Sequence, residues 1–134
     1  MDYLLDTNII SYFIKGREPA LQARMSRALD EKSFAISAIT QAELRYGQAF
    51  MVAEDKRRRS IDLILRQVTV LPWTAAAADI YGDIKSQNKR QGTPSGELDT
   101  QIAAHALAEK LILVTHNTRH FERIPGLKLE DWMV

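Results

Sequence analysis

The sequence contains no cysteine among its 134 residues. This absence excludes disulfide bonds, zinc sites built on thiolates and catalysis by a thiol nucleophile, and it is typical of a cytoplasmic protein. The sequence also lacks any long apolar run, and Met1 is followed by Asp2 rather than by a basic segment. We therefore expect neither a signal peptide nor a membrane-spanning helix.

The chain also carries little excess charge. A formal net charge of +1 does not by itself indicate a protein that binds nucleic acid. Basic residues cluster locally at 56–59, at Lys85, Lys89 and Arg90, and at Arg119 and Arg123. Each such cluster is more often a solvated helix face than a binding patch, so composition alone leaves the function open.

The pattern of apolar residues predicts the fold. Short apolar segments, which predict strands, occur at 3–5, 34–36, 68–71, 111–114 and 127–129. Helical patterns lie between them, at 8–15, 19–30, 38–50, 54–67, 75–90 and 98–110. Most predicted strands lack polar alternation, as parallel strands covered on both faces do. With no repeat or linker, we predict one α/β domain over residues 1–134, a three-layer α/β/α sandwich around a mainly parallel sheet of four to five strands.

Asp6 lies at the carboxyl end of the first predicted strand, in the segment YLLDTNII. Ligands bind outside the carboxyl ends of the strands in folds of this type. Aspartate is also a preferred N-cap, and a helix is predicted to follow. The position therefore suits a catalytic acid and a helix cap equally.

Glu43 lies on an apolar stripe of its predicted helix. In SAITQAELRYGQAF, a rotation of about 100° per residue places Glu43 close to Ile39, Tyr46 and Phe50. A carboxylate on a face that packs against the core is costly unless it is paired or binds a metal. The simpler alternative is a glutamate that reaches out to solvent or to an arginine.

Asp99 repeats this arrangement in LDTQIAAHALAEK, on the face that carries Ile102 and Ala106. It also falls in the first turn, where the helix dipole stabilises an anion, so an acid placed there only for the dipole is the alternative. By contrast, Asp79 and Asp83 lie away from the apolar face of their helix. We predict that both of these acids are solvated.

Three carboxylates on three separate elements are thus predicted to point inward. Without partners they would repel one another and take up protons, and no basic residue adjoins them in these segments. A hard divalent cation would neutralise them, and Mg²⁺ or Mn²⁺ prefers such oxygen ligands. A metal of this kind can activate water and orient a phosphate, which favours phosphodiester hydrolysis.

Four segments resemble the motifs of a known family, in its order and spacing: LLDTNII, SAITQAELRYG, GTPSGELDTQIAAHAL and LVTHNTRHFERIPGLKLEDW. The sequence is similar to the PIN-domain ribonucleases, and more closely to the VapC toxins of bacterial toxin–antitoxin pairs. The resemblance implies that Asp6, Glu43 and Asp99 bind Mg²⁺ or Mn²⁺ in an endoribonuclease that halts translation, often by cutting transfer RNA. It further implies a homodimer, and a VapB-like antitoxin whose tail enters the active-site groove and through which operator DNA is bound.

The segment LVTHNTRHF carries further candidates. The resemblance implies that Thr115 and Asn117 form a Thr-x-Asn element beside the metal, while a strand end followed by an asparagine cap is the simpler alternative. The family usually has an acid directly before the phenylalanine, where this sequence has His120. Glu122 lies about 200° around a helix from that position and is not expected to substitute. We therefore expect one metal rather than two, with His120 in contact with water, a phosphate or Mn²⁺.

His116 and His120 are four residues apart, a spacing that some zinc sites use on helices. Asn117 and Thr118 are good N-caps, so we predict that any helix begins after His116 and that the two rings do not share a face. Candidate contacts to the RNA backbone are the basic residues Arg119, Lys85, Lys89 and Arg90.

Two other classes of protein are open alternatives, and the first is a protein that forms an aspartyl phosphate. An aspartyl-phosphate phosphatase of the haloacid dehalogenase kind needs Asp-x-Asp after its first strand, and this chain has Asp6 and Asn8 there. A response-regulator receiver needs a lysine after a late strand, where this chain has Thr115 and His116. The second class is a catalytically weak or inactive PIN-like module that binds RNA or a partner, because His120 replaces the fourth acid.

Overall fold

Five short strands form the central sheet of the computed structural model, which describes residues 1–93 and 96–134. They are β1 (Tyr3–Leu5), β2 (Phe34–Ser37), β3 (Thr69–Leu71), β4 (Ile112–Val114) and β5 (Leu129–Glu130). Their order is β3-β2-β1-β4-β5, and every neighbouring pair is parallel. The predicted fold class is confirmed. Four strands lie where the apolar segments predict them, and β5 begins at the last residue of the predicted segment.

Seven helices connect these strands in the described part of the chain. They are α1 (Thr7–Lys15), α2 (Pro19–Glu31), α3 (Ala38–Ala49), α4 (Lys56–Gln67), α5 (Ala75–Gln91), α6 (Glu97–Glu109) and α7 (Thr118–Phe121). The side chains of Asp6, Ser37, Asp55 and Thr74 each accept a hydrogen bond from the first turn of the helix that follows, which fixes where those helices begin. None of the described helices has the length and apolar character needed to cross a bilayer.

The sheet separates two hydrophobic cores. Leu5 and Ile36 are paired in register and face the core that is covered by α1, α2 and α4. Leu4 and Ala35, also paired, face the core that is covered by α5 and α6. All four side chains are fully buried. Because successive strand residues point to opposite faces, an uninterrupted apolar strand requires this three-layer arrangement.

The predicted apolar stripe of α3 is wrong. The helix buries Thr40, Leu44 and Gln48, whereas Tyr46 and Phe50 are 69% and 75% exposed. Gln48 satisfies its amide group with hydrogen bonds to residues of α4, so a polar side chain is tolerated on the buried face. The two aromatic rings contact each other edge to face at 5.1 Å on the outer surface. Glu43 therefore points inward beside Thr40 and Leu44, not beside the aromatic residues.

Candidate active site

Asp6 is both a helix cap and part of a cavity. Its Oδ1 accepts a hydrogen bond of 2.9 Å from the backbone N–H of Ile9, which caps α1. Its own backbone N–H donates to the carbonyl of Val114 at the end of β4, at 3.1 Å. The residue is only 5% exposed. The two alternatives for this position are compatible, because a carboxylate has two oxygens with several acceptor sites.

The pKa of Asp6 is raised from its ordinary value. Burial is the largest cause, and the negative charges of Asp99 and Glu43 add to it. Hydrogen bonds from Thr115 and Ile9 lower the pKa without cancelling the effect of burial. The surroundings of Asp6 thus disfavour its ionised form, a condition that a bound cation would relieve.

Glu43 reaches the same cavity from α3. Its Oε1 accepts a hydrogen bond of 2.6 Å from the hydroxyl of Thr7. The Thr7 oxygen also lies 3.1 Å from Oγ1 of the buried Thr40. The Glu43 carboxylate therefore has a short bond to a neutral hydroxyl, and the expected alternative of an arginine partner is not found among the ion pairs of the described residues.

Asp99 enters from the first turn of α6, as its place in the sequence predicts. Its side chain is 39% exposed, and its Oδ2 lies 3.7 Å from Nδ1 of His120. The His120 side chain, 53% exposed, belongs to α7. An imidazole therefore adjoins one of the three acids at the position where the sequence departs from the family pattern. Glu122 is exposed at the end of α7 and lies outside the cavity lining.

A cavity of about 320 Å³ brings the three acids together. Its lining comprises Asp6, Thr7, Asn8, Glu43, Gly96, Glu97, Leu98, Asp99 and Ile102. Four carboxylates line it, and no lysine or arginine is among the described lining residues. Thr7, Asn8 and Glu97 are members of the lining that sequence reasoning did not single out. The signal for the first two was present, because they follow Asp6 directly in the DTN element.

The donor set of this cavity suits a hard divalent cation. Every candidate ligand is an oxygen, and hydroxyl groups donate hydrogen bonds to the carboxylates of Glu43 and Asp6. Within the described residues, however, no three acid or histidine side chains are close enough to form a complete metal-binding group. The carboxylates share one cavity but are spread around its lining. The residues fit a metal that retains several water ligands.

Thr115 and Asn117 lie at the end of β4, beside this site. Thr115 is fully buried and donates a hydrogen bond to the Asp6 carboxylate, and its Oγ1 accepts the backbone N–H of Asn117 at 3.1 Å. Asn117 is the N-cap residue of α7, but its side chain makes no capping hydrogen bond. Thr115 therefore orients an acid of the site, while the Asn117 side chain is exposed and free of the cap role.

The two histidines of the segment contact different carboxylates. Nδ1 of His116 lies 3.0 Å from Oδ2 of Asp131, whereas His120 adjoins Asp99. The helix begins after His116, as predicted. Among the basic candidates, Lys85 forms an ion pair of 3.1 Å with Glu97 at the edge of the cavity. The remaining basic candidates, Lys89, Arg90 and Arg119, are exposed.

A parallel sheet with acids gathered at its carboxyl end is the arrangement of a PIN domain, and the PIN domain family profile matches residues 3–127. The chain is also 38% identical to the tRNA(fMet)-specific endonuclease VapC of Shigella flexneri over 132 residues, which are 98% of both chains. The family match disfavours the two aspartyl-phosphate alternatives, the phosphatase and the response-regulator receiver.

Solved structures with the same fold lead to the same family. One is VapBC2 from Rickettsia felis bound to a DNA fragment from its promoter, with a TM-score of 0.89, 32% identity and coverage of 98% of this chain and 99% of that one. Another is VapBC-1 from nontypeable Haemophilus influenzae, with a TM-score of 0.86, 37% identity and coverage of 100% of both chains. The chain belongs to the VapC ribonucleases of the PIN-domain family.

Proposed function

We propose that this chain is a metal-dependent endoribonuclease and the toxin of a VapBC-like pair, and that it hydrolyses phosphodiester bonds of a transfer RNA. The observation that carries the proposal is the convergence of Asp6, Glu43 and Asp99, from three separate elements, on one cavity without a positive side chain in its described lining. The similarity to an endonuclease specific for tRNA(fMet) supports the substrate class. Residues 1–134 form a single PIN domain in this proposal.

The same three carboxylates would hold the cation. PIN-domain ribonucleases depend in general on a divalent metal, and the all-oxygen donor set favours Mg²⁺ or Mn²⁺. When bound, such a cation lowers the pKa of water, orients a phosphate and stabilises the developing charge of the leaving oxygen. The raised pKa of Asp6 supports this assignment, because a nearby positive charge restores the ionised carboxylate.

The protein's own side chains prepare this site. Thr7 and Thr115 donate hydrogen bonds that fix the carboxylates of Glu43 and Asp6. His120 stands beside Asp99, where it can contact the scissile phosphate or its water. The exposed Arg119 and Asn117 flank these residues and would contact the RNA backbone.

A VapB-like antitoxin is the proposed partner, and operator DNA is bound only through it. The relatives from Rickettsia felis and Haemophilus influenzae are VapBC structures, and the first contains promoter DNA. A second cavity of about 280 Å³ supports the proposal, since it shares Thr7 and Glu43 with the first and carries Lys15 and Arg57. An antitoxin tail could occupy both. We also propose that the toxin is a homodimer in the cytoplasm.

An inactive binding module is the weaker alternative. It rested on the replacement of the fourth acid by His120, yet that imidazole adjoins Asp99 and the three principal acids are all present. The relatives that match nearly the whole chain carry the names of ribonucleases. These findings favour an active ribonuclease over an inactive binding module.

The test compares the parent chain with Asp6→Asn in cells that lack the antitoxin, followed by mapping of RNA 5′ ends. Asparagine is as good an N-cap as aspartate, so this substitution retains the start of α1 while it removes the negative charge. Asp79→Asn is a matched control, because Asp79 is exposed on α5. We expect growth arrest and new 5′ ends in transfer RNA for the parent and Asp79→Asn only. Equal growth and unchanged RNA in all three cultures would overturn the nuclease proposal.

A further inference from the structure

We propose that the hydrogen bond between Ser37 and His105 is a brace that sets the spacing of Glu43 and Asp99, and thereby the affinity of the site for a divalent cation. The inference rests on the proposed function and extends it to two residues outside the cavity lining. Both residues act on the acids through the helices that carry them, so they are positioning residues.

The bond lies deep in the protein. Nδ1 of His105 is 2.8 Å from Oγ of Ser37, and both residues are fully buried. Ser37 is the last residue of β2 and the N-cap of α3, and its Oγ already accepts the backbone N–H of Ile39 at 3.0 Å. Its hydroxyl proton can donate to Nδ1, and the proposed brace uses this direction, with the imidazole proton on Nε2.

The brace connects the two helices that bear the acids. Ser37 precedes Glu43 by six residues, and His105 follows Asp99 by six. Six residues correspond to about 9 Å along a helix. Because α3 and α6 pack directly against each other, a bond between them fixes their relative position at one end while the acids project into the cavity at the other. A small slide of one helix would change the separation of the two carboxylates.

Packing alone does not explain a histidine at this position. The neighbours of His105 on α6 include Ala104 and Ala106, which are fully buried, and burial lowers the pKa of the imidazole so that it stays neutral. Its Nε2 makes no hydrogen bond of good geometry, although the backbone carbonyl of Pro72 acts on the ring and opposes the effect of burial. A leucine would fill a similar volume without an unsatisfied polar atom. What the histidine adds is the directional bond to Ser37.

Two substitutions of His105 separate the bond from packing. In His105→Asn, the side-chain oxygen can take the place of Nδ1 as the acceptor for Ser37, whereas His105→Leu keeps the volume and removes the acceptor. We expect the full-length His105→Leu protein to bind Mn²⁺ about 10–100-fold more weakly than the parent, as loss of an outer-shell partner does elsewhere. We expect His105→Asn to stay within about threefold of the parent. A purely structural role predicts the reverse order, because leucine suits an apolar core better than asparagine.

Titration calorimetry with Mn²⁺ alone, in parallel with thermal unfolding, provides the measurement. The inference is overturned if His105→Leu binds Mn²⁺ as the parent does, or if His105→Asn is as weak as His105→Leu. Should His105→Leu not fold, Ser37→Ala decides, with Thr74→Ala as the control for loss of an N-cap. Weaker Mn²⁺ binding by Ser37→Ala than by Thr74→Ala supports the brace, and equal binding overturns it.

The proposed function has its own outcome in the same experiment. If the parent and Asp6→Asn bind Mn²⁺ equally, the carboxylate site itself is wrong and the brace is overturned with it. If Asp6→Asn loses Mn²⁺ binding while His105→Leu retains it, the site stands and only the brace is overturned.

Discussion

The two ends of the central sheet each border a cavity, and the two cavities differ in charge. The cavity of about 320 Å³ at the carboxyl end is lined by four carboxylates. The cavity of about 210 Å³ at the amino ends of β2 and β3 is lined by Lys32 among apolar and neutral polar residues. The gathered carboxylates at the carboxyl end repel one another and so lower the stability of the fold. The described lining at the amino end has no such repulsion and is stabilised by packing. We therefore expect substitutions among the acids to change activity, and those at the amino end or in the core that contains Leu21 to change stability alone.

The largest effect is expected for Asp99→Asn at the carboxyl end. If Asp99 binds the cation as proposed, its loss should lower kcat/KM for RNA cleavage by about 10³-fold, more than the loss of a residue that only orients a ligand does. The fold should persist, because the residue lies in an exposed first turn of α6. Initial rates of the purified protein on transfer RNA measure the change. Asp83→Asn, at an exposed acid of α5, serves as the control. An Asp99→Asn enzyme as active as the parent would contradict the proposal that Asp99 binds the cation.

Leu21→Ala tests the opposite side of the comparison. Leu21 belongs to α2 and is fully buried in the core that this helix covers, so its truncation should lower the free energy of unfolding by about 3 kcal/mol. Urea denaturation followed by circular dichroism measures this loss. Activity per folded molecule should not change, and a loss of kcat at temperatures where the variant is fully folded would show that the two properties are not separable here.

Asp6→Asn should stabilise the metal-free protein by about 1 kcal/mol near neutral pH, because it removes a buried charge that the fold disfavours. The folded-state pKa of Asp6 is raised, so its stabilising contribution is complete below the ordinary pKa of 3.8 and is lost as pH rises through the folded value. The advantage of the asparagine should therefore disappear toward acid pH. Thermal unfolding from pH 4 to pH 8 with a chelator measures it, and saturating Mg²⁺ should reduce the gain. A pH-independent difference would argue against this cause.

The smallest effect is expected at the amino end. Lys32 follows α2 with φ of 51°, in the left-handed region that favours glycine. Lys32→Gly should stabilise the protein by roughly 0.5 kcal/mol through relief of this backbone conformation, less the entropy that glycine loses on folding. RNA cleavage should be unchanged, as the cavity at that end carries no acid among its described residues. Any change in kcat would mean that the two ends communicate.

Local patterns predicted most of the fold and two of the three acids. Asp6 follows an uninterrupted apolar strand, and Asp99 opens a helix with a clear apolar face, so both placements depend on neighbours in sequence. Glu43 was placed correctly for the wrong reason, since the aromatic stripe of α3 is exposed. The partners that decide which face is buried lie on α4, and no periodicity within α3 reveals them.

The contacts of the candidate site escaped prediction where they join distant parts of the chain. The partner of His105 is Ser37, 68 residues away, and the contact between His120 and Asp99 joins two different helices. Such pairs arise only when tertiary packing has brought the elements together. The sequence could therefore indicate which acids line the candidate site, but not which neighbours hold them.

The strand order has a consequence for a chain that is only partly synthesised. β1 precedes the other four strands in sequence and lies at the centre between β2 and β4, and Asp6 at its end depends on Val114 and Thr115 for hydrogen bonds. A translation product that stops before residue 111 contains all three acids but leaves β1 as an open sheet edge. An unfinished chain of this kind lacks the hydrogen bonds from Val114 and Thr115 that hold Asp6 in place, so we expect it to cleave RNA less than the complete chain does.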